Sequence, residues 1–139
     1  MFLGAYQHTI DTKGRLAIPA KFRSSIERGA VLVKGVESCL NVFTTEVWEE
    51  KARELAALPL DPRQRRIIER NFFGSATECE LDSQGRIVIH VNFRRFAGLA
   101  GDTTIVGIYQ RFEIWNTERW DEYQTVIANE DLSGIALPF

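Results

Sequence analysis

Asp11-Thr12-Lys13-Gly14-Arg15-Leu16-Ala17-Ile18, followed by Phe22-Arg23, returns 71 residues later as Asp82-Ser83-Gln84-Gly85-Arg86-Ile87-Val88-Ile89, followed by Phe93-Arg94. A fixed internal period signals duplication of one structural unit. The repetition continues, because Val42-Phe43-Thr44-Thr45-Glu46-Val47-Trp48 aligns with Ile114-Trp115-Asn116-Thr117-Glu118-Arg119-Trp120 at an offset of 72. The single added residue belongs between Arg94 and Ile114, where a loop absorbs it at least cost. Two units thus span most of the 139 residues. A unit of ~70 residues buries little apolar surface by itself. The two are expected to share one core or to complete it by oligomerisation.

Around the first turn, Tyr6, His8 and Ile10 alternate with Gln7 and Thr9, and Leu16 and Ile18 alternate with Arg15 and Ala17. Alternating runs joined by Asp-Thr-Lys-Gly read as a β-hairpin. Asp11 can accept from the backbone N–H groups ahead of it, and Gly14 supplies the positive φ that closes a four-residue loop. Asp82 and Gly85 repeat that chemistry. Pro19 stops the first strand and opens a short helical segment, Ala20 to Arg28, ended by Gly29. Further strands are read at Ala30 to Lys34 and Cys39 to Phe43, with counterparts at Thr103 to Ile108 and Phe112 to Trp115. Thr44 or Thr45 caps a helix carrying Trp48, Ala52, Leu55 and Ala56 on one side, and Thr117 starts its equivalent. Only the first unit has an extra helix. Asp61-Pro62-Arg63-Gln64 has a capping side chain, Pro at the first position and Gln three after the cap, with Gly74 as the stop. Ile67, Ile68 and Phe72 are expected to face the core, leaving Arg63, Arg65, Arg66 and Arg70 solvated.

Composition narrows the function classes. Hydrophobic residues make up 45% and aromatics 11%, which argues for a folded globule over a disordered tail. No segment approaches a membrane span, and the opening Met1-Phe2-Leu3-Gly4 has neither the basic start nor the apolar run of an export signal, so a soluble, cytoplasmic protein is expected. Cys39 and Cys79 lie outside any CxxC spacing and read as packing residues. His8 and His90 share no ligand spacing with them or each other, so no metal or other cofactor is expected. No nucleophile motif, phosphate loop or metal-binding helix is visible, so no enzyme activity is expected.

The net charge of −2 is unevenly spread: residues 1 to 36 hold six basic side chains against two acidic ones, and residues 113 to 139 hold six acids against Arg119 alone. Such polarity lets one face attract an anionic partner while the molecule stays soluble. The turns place Lys13 and Arg15, then Gln84 and Arg86, beside glycines that admit a close partner. Arginine offers planar paired donors suited to phosphate oxygens and guanine edges. Because two-stranded β elements enter DNA grooves, the duplicated turn points to double-stranded DNA, with Lys21 and Arg23 as a second basic cluster. Arg23 and Arg94 also have a structural reading, as partners of the turn acids. The arginine helix reads as a solvated face, since no aromatic is interleaved for base stacking.

These residues resemble a known family. Met1-Phe2-Leu3-Gly4 with Asp11 to Pro19 and Phe22-Arg23 is similar to the opening of the bacterial MraZ proteins. Asp61-Pro62-Arg63 through Arg66, Arg70, Phe73, Ala76, Glu78 and Asp82 to Arg86 resembles their second signature. The match covers nearly the whole chain. It implies an α+β fold of two pseudo-symmetric AbrB-like swapped-hairpin units around a shared β-barrel core with peripheral helices. The first unit would occupy residues 1–60, a connecting helix 61–74 and the second unit 75–139. It further implies a transcriptional regulator of the division and cell-wall gene cluster, repressing its own operon, assembled in a homo-oligomeric ring and associated with the nucleoid. Asp11 with Arg15 and Asp82 with Arg86 would carry DNA binding. Gln84 in place of Lys13 makes the second turn the leaner one, and His90 stands where the first unit has Pro19. The rival expectation is an antitoxin-like protein-interaction module on the same fold.

Overall fold

Phe2–Ile10 (β1) and Arg15–Ala17 (β2) flank the first turn in the computed structural model, which describes all 139 residues. They do not form the hairpin that their alternation suggests. β1 pairs along its whole length with Gly101–Tyr109 (β7), from Phe2 opposite Tyr109 to Ile10 opposite Gly101. β2 pairs instead with Arg86–Val88 (β6) of the second repeat. Alternation fixes which side chains face the core but not which strand supplies the ladder. Both repeats make the same exchange. Ala30–Lys34 (β3) takes Thr77–Cys79 (β5) as neighbour, just as β7 takes β1.

Leu40–Thr44 (β4) and Arg111–Asn116 (β8) meet at the centre, giving one six-stranded antiparallel sheet in the order β1-β7-β8-β4-β3-β5. β2 and β6 form a separate two-stranded ribbon. The class is α+β, and the enclosure is an open sheet plus a ribbon, since no ladder joins β1 to β5. Between them lies a shared core of 18 buried residues drawn from both repeats. Leu16 and Ile18 meet Ile87 and Ile89 there, all with no solvent exposure. Phe22 sits against the rings of Phe2, Phe112 and Tyr6 at 5.1, 5.3 and 5.4 Å.

Short helices follow the ribbon strands. Pro19 and His90 occupy equivalent cap positions, both in extended backbone, before Ala20–Arg23 (α1) and Val91–Ala97 (α4). An extended cap is open to any residue, so histidine replaces proline there without altering the geometry. A 3₁₀ turn, Ser24–Ile26, continues α1 up to Gly29. Thr45–Ala56 (α2) is capped by Thr44, whose hydroxyl accepts the Val47 N–H at 3.2 Å. Its counterpart Thr117–Ile127 (α5) is capped by the Asn116 side chain.

The extra helix is Pro62–Ile68 (α3), with the expected reciprocal cap between Asp61 and Gln64, running into one π-helical turn, Glu69–Phe73, before Gly74. Ile68 and Phe72 are half-buried, but Ile67 is 45% exposed, contrary to its expected place in the core. At 3.6 residues per turn, Ile67 falls beside Arg63 and Arg70 on the face opposite Arg65 and Ile68. Arg65 lies inward, donating to the carbonyls of Ala56 and Leu58 at 3.0 Å each.

Two smaller clusters cover the outer face of the sheet. Val31, Val33 and Phe43 pack with Val47, Trp48, Phe72 and Ala76. Cys39, Val106 and Trp115 pack with Ile108, Trp120 and Tyr123. Burial pushes the Cys39 thiol up to about 12 and that of Cys79 up to about 11, so both remain protonated packing residues at neutral pH.

Candidate nucleic-acid interface

Each Asp-x-x-Gly-Arg turn is built by its own aspartate. Asp11 Oδ1 accepts the backbone N–H groups of Lys13 and Arg15, both at 2.9 Å, and Oδ2 accepts Arg15 Nε at 2.5 Å. Asp82 repeats the set with Gln84 and Arg86 at 2.8 and 3.0 Å, and with Arg86 Nε at 2.9 Å. Backbone bonds from Gly14 to Asp11 and from Gly85 to Asp82 close both loops at 3.0 Å. In each guanidinium Nε is thereby occupied, so the aspartate holds the arginine while its two terminal nitrogens stay available.

The exchange of strands brings the two turns together. Across the ribbon Arg15 stands opposite Val88 and Ala17 opposite Arg86, while Leu16 and Ile87 turn inward. Arg15 and Arg86 therefore share the outward face as diagonal neighbours, ~7–8 Å apart by sheet geometry. Lys13 and Gln84 are exposed at the two turns, and Lys21 is exposed on α1. Val88, 44% exposed between the arginines, was not singled out from sequence, because its place on this face depends on the β2–β6 register.

Arg23 and Arg94 pack against the turns. Arg23 Nε donates to the Ile18 carbonyl at 2.8 Å, and its guanidinium lies over Gly85 of the other repeat's turn, where a Cβ would fall 2.5 Å from Cζ. Arg94 Nε donates to the Ile89 carbonyl at 2.9 Å and packs beside Gly14. The Ile18 N–H donates to the Gly85 carbonyl at 3.0 Å and the Ile89 N–H to the Gly14 carbonyl at 2.7 Å. Each turn is thus held by backbone and arginine of the opposite repeat. Neither isoleucine N–H carries a signal in the sequence beyond its repeat equivalence.

Electrostatics follow the same pattern. The Arg15 backbone N–H above all, with the Arg15 side chain and the Lys13 N–H, holds the Asp11 carboxyl below the usual aspartate range, and Arg86 with Gln84 does so for Asp82. Folding therefore favours both carboxylates: the stability they contribute is complete above about pH 4 and is lost as pH falls through the depressed native values. Asp82→Asn keeps an acceptor for the two N–H groups but cannot titrate. Its urea midpoint should fall less steeply than the wild type's between roughly pH 4 and pH 2.5; parallel curves would contradict the assignment. Elsewhere, burial and then Arg23 lower the pKa of His8, disfavouring its charged form. No three His, Cys, Asp or Glu side chains converge as a metal would require, and no helix is long and apolar enough to cross a membrane.

Comparison with known sequences supplies the remaining observation. The family described as "MraZ protein, putative antitoxin-like" matches the chain twice, over residues 1–71 and 72–136. The protein named "Transcriptional regulator MraZ" from Roseiflexus castenholzii is 48% identical over 134 residues, covering 96% of this chain and 92% of that one. Those of the same name from Moorella thermoacetica and Thermoanaerobacter pseudethanolicus are 46% and 44% identical, over 88% and 96% of this chain and 86% and 91% of theirs. With both repeats matched and similarity along nearly its full length, the chain belongs to the MraZ family.

Proposed function

We propose that this protein is a sequence-specific, double-stranded-DNA-binding transcriptional regulator without catalytic activity, cytoplasmic and nucleoid-associated, repressing the division and cell-wall gene cluster that includes its own operon. The observation carrying this reading is the β2–β6 ribbon, which presents Arg15 and Arg86 on one exposed face, each fixed through Nε with its terminal nitrogens free. A two-stranded ribbon fits the major groove, and an arginine fork matches the acceptors of guanine or of a phosphate. Lys13, Gln84 and Lys21 extend the contact, the first turn being the more basic. Asp11, Gly14, Asp82 and Gly85 shape the turns. Arg23 and Arg94 position them.

One copy offers few cations, and affinity scales with phosphates neutralised. A homo-oligomeric ring would set several ribbons against operator elements repeated near each helical turn, ~10 base pairs apart. Linked weak contacts then gain avidity. The test is a fluorescence-anisotropy titration against the duplex upstream of the chain's own gene and a shuffled duplex, repeated across salt concentrations. Tighter binding to the upstream duplex, weakening linearly in log salt, is expected; equal affinity for both, or a flat salt response, would overturn the reading.

A further inference from the structure

The two halves of the sheet are not covered equally. Over the first half, α2 and the π turn after α3 together bury Val31, Val33 and Phe43, and Ala76 is packed beneath them. Over the second half α5 acts alone. The strand registers make Ala5, opposite Val106, the equivalent of Ala76, yet Ala5 is exposed, as is Leu3 at 56% opposite Ile108. Ile127, the counterpart of Leu55 on α2, is 39% exposed, whereas Leu55 lines a groove closed by α3. Along the start of α5, beside Asn116 and Thr117, the surface is a hollow of about 550 Å³ carrying Asp102, Glu118, Asp121 and Glu122 and no basic residue. None of these four acids is in an ion pair.

The outward face of α3 is the converse surface. Ile67 is exposed there among Arg63, Arg66 and Arg70, all exposed and none paired with an acid. Each chain owns one such ridge and one such hollow. We propose that the arginine face of α3 in one copy seats in the acidic hollow beside α5 of the next, with Ile67 against the uncovered apolar strip around Leu3 and Ala5. The second copy is chosen over other partners by charge complementarity, three cations against four carboxylates, and by the one-to-one count of the two surfaces. The contact is heterologous, so repeated use of it closes a ring or extends a filament. This rests on the oligomeric reading above and names its interface.

Light-scattering mass of the full chain in three forms tests the inference: wild type, Arg66→Glu/Arg70→Glu, and Glu118→Arg/Glu122→Arg. All substituted side chains are exposed, so melting temperatures should stay within a few degrees of wild type. Wild type should run as a multimer, and each double variant should fall towards the 15.9 kDa of one chain. Mixing the two variants should restore the larger species, because the reversed ridge of one then meets the reversed hollow of the other. Variants that keep the wild-type mass, or a mixture that stays small, would overturn the interface while leaving oligomerisation intact. A wild type that is itself a monomer would overturn the oligomeric reading too. If the arginine face serves DNA instead, Arg66→Glu/Arg70→Glu will weaken duplex binding with mass unchanged, which also refutes the interface.

Discussion

Arg15→Ala/Arg86→Ala should fold as the wild type does and lose duplex binding by roughly 30- to 25,000-fold, given about 1–3 kcal/mol of discrimination for each well-placed arginine fork. The fold should survive because both ion pairs lie at the surface, with arginine side chains 37% and 27% exposed, and exposed pairs contribute little. The aspartates also keep their backbone bonds, which hold the turns without the guanidinium. Binding should suffer more than a count of lost cations implies, since Asp11 and Asp82 are left uncompensated on a face that meets phosphate. Arg15→Lys separates two uses of the residue: it retains the charge but not the fork. A lysine variant that binds upstream and shuffled duplex alike would mark Arg15 as a base reader, whereas one that keeps the preference would mark it as a phosphate contact. If the double alanine variant binds with wild-type affinity in anisotropy titrations, the ribbon is not the DNA surface.

How far this site was legible before the structure depends on the range over which each contact acts. Asp11, Gly14 and Arg15 lie within five residues, and their turn chemistry is written locally, as is the cap of Asp61 with Gln64. In the sheet β3, β4, β7 and β8 were visible as strands and β1 by its alternation, while the short β5 was not, and the doubling of the chain announced the shared core. The pairing of β2 with β6 was not visible, because ribbon partners are 69 to 73 residues apart and alternation is silent on the choice between them. The same distance hid the role of Arg23 and Arg94. Each stands a few residues after its own turn in sequence and packs on the glycine of the other. Ile67 failed for a different reason. A four-residue apolar spacing marks one face of α3 but not which face meets the sheet, and the half-buried Arg65, tied to two carbonyls, takes the inward place an isoleucine would be given by hydropathy.

The crossed support of the turns predicts an order among three glycine-to-alanine changes at similar backbone angles. Gly14, Gly85 and Gly101 have φ of +80°, +75° and +91°, so each alanine carries the left-handed penalty of about 1–2 kcal/mol. At Gly101 nothing lies within 4 Å of the new Cβ, and that penalty is all. At Gly85 the Cβ meets the Arg23 guanidinium, the end of a flexible side chain that can shift only by leaving the Ile18 carbonyl. One hydrogen bond of ~1 kcal/mol is then added to the loss. At Gly14 the Cβ overlaps the Ile89 carbonyl oxygen, which is backbone, and Ile89 lies fully buried in the shared core. Relief there must spread the strand from the turn and break the Ile89 to Gly14 bond, so the cost should exceed about 3 kcal/mol, at the upper end of single-residue effects. At roughly 3–5 °C per kcal/mol for a chain of this size, Gly14→Ala should melt more than about 10 °C below wild type, with Gly85→Ala between it and Gly101→Ala. Urea unfolding of the three variants decides the matter. Equal losses would show that φ alone sets the cost, and that the two repeats do not hold each other's turns in place.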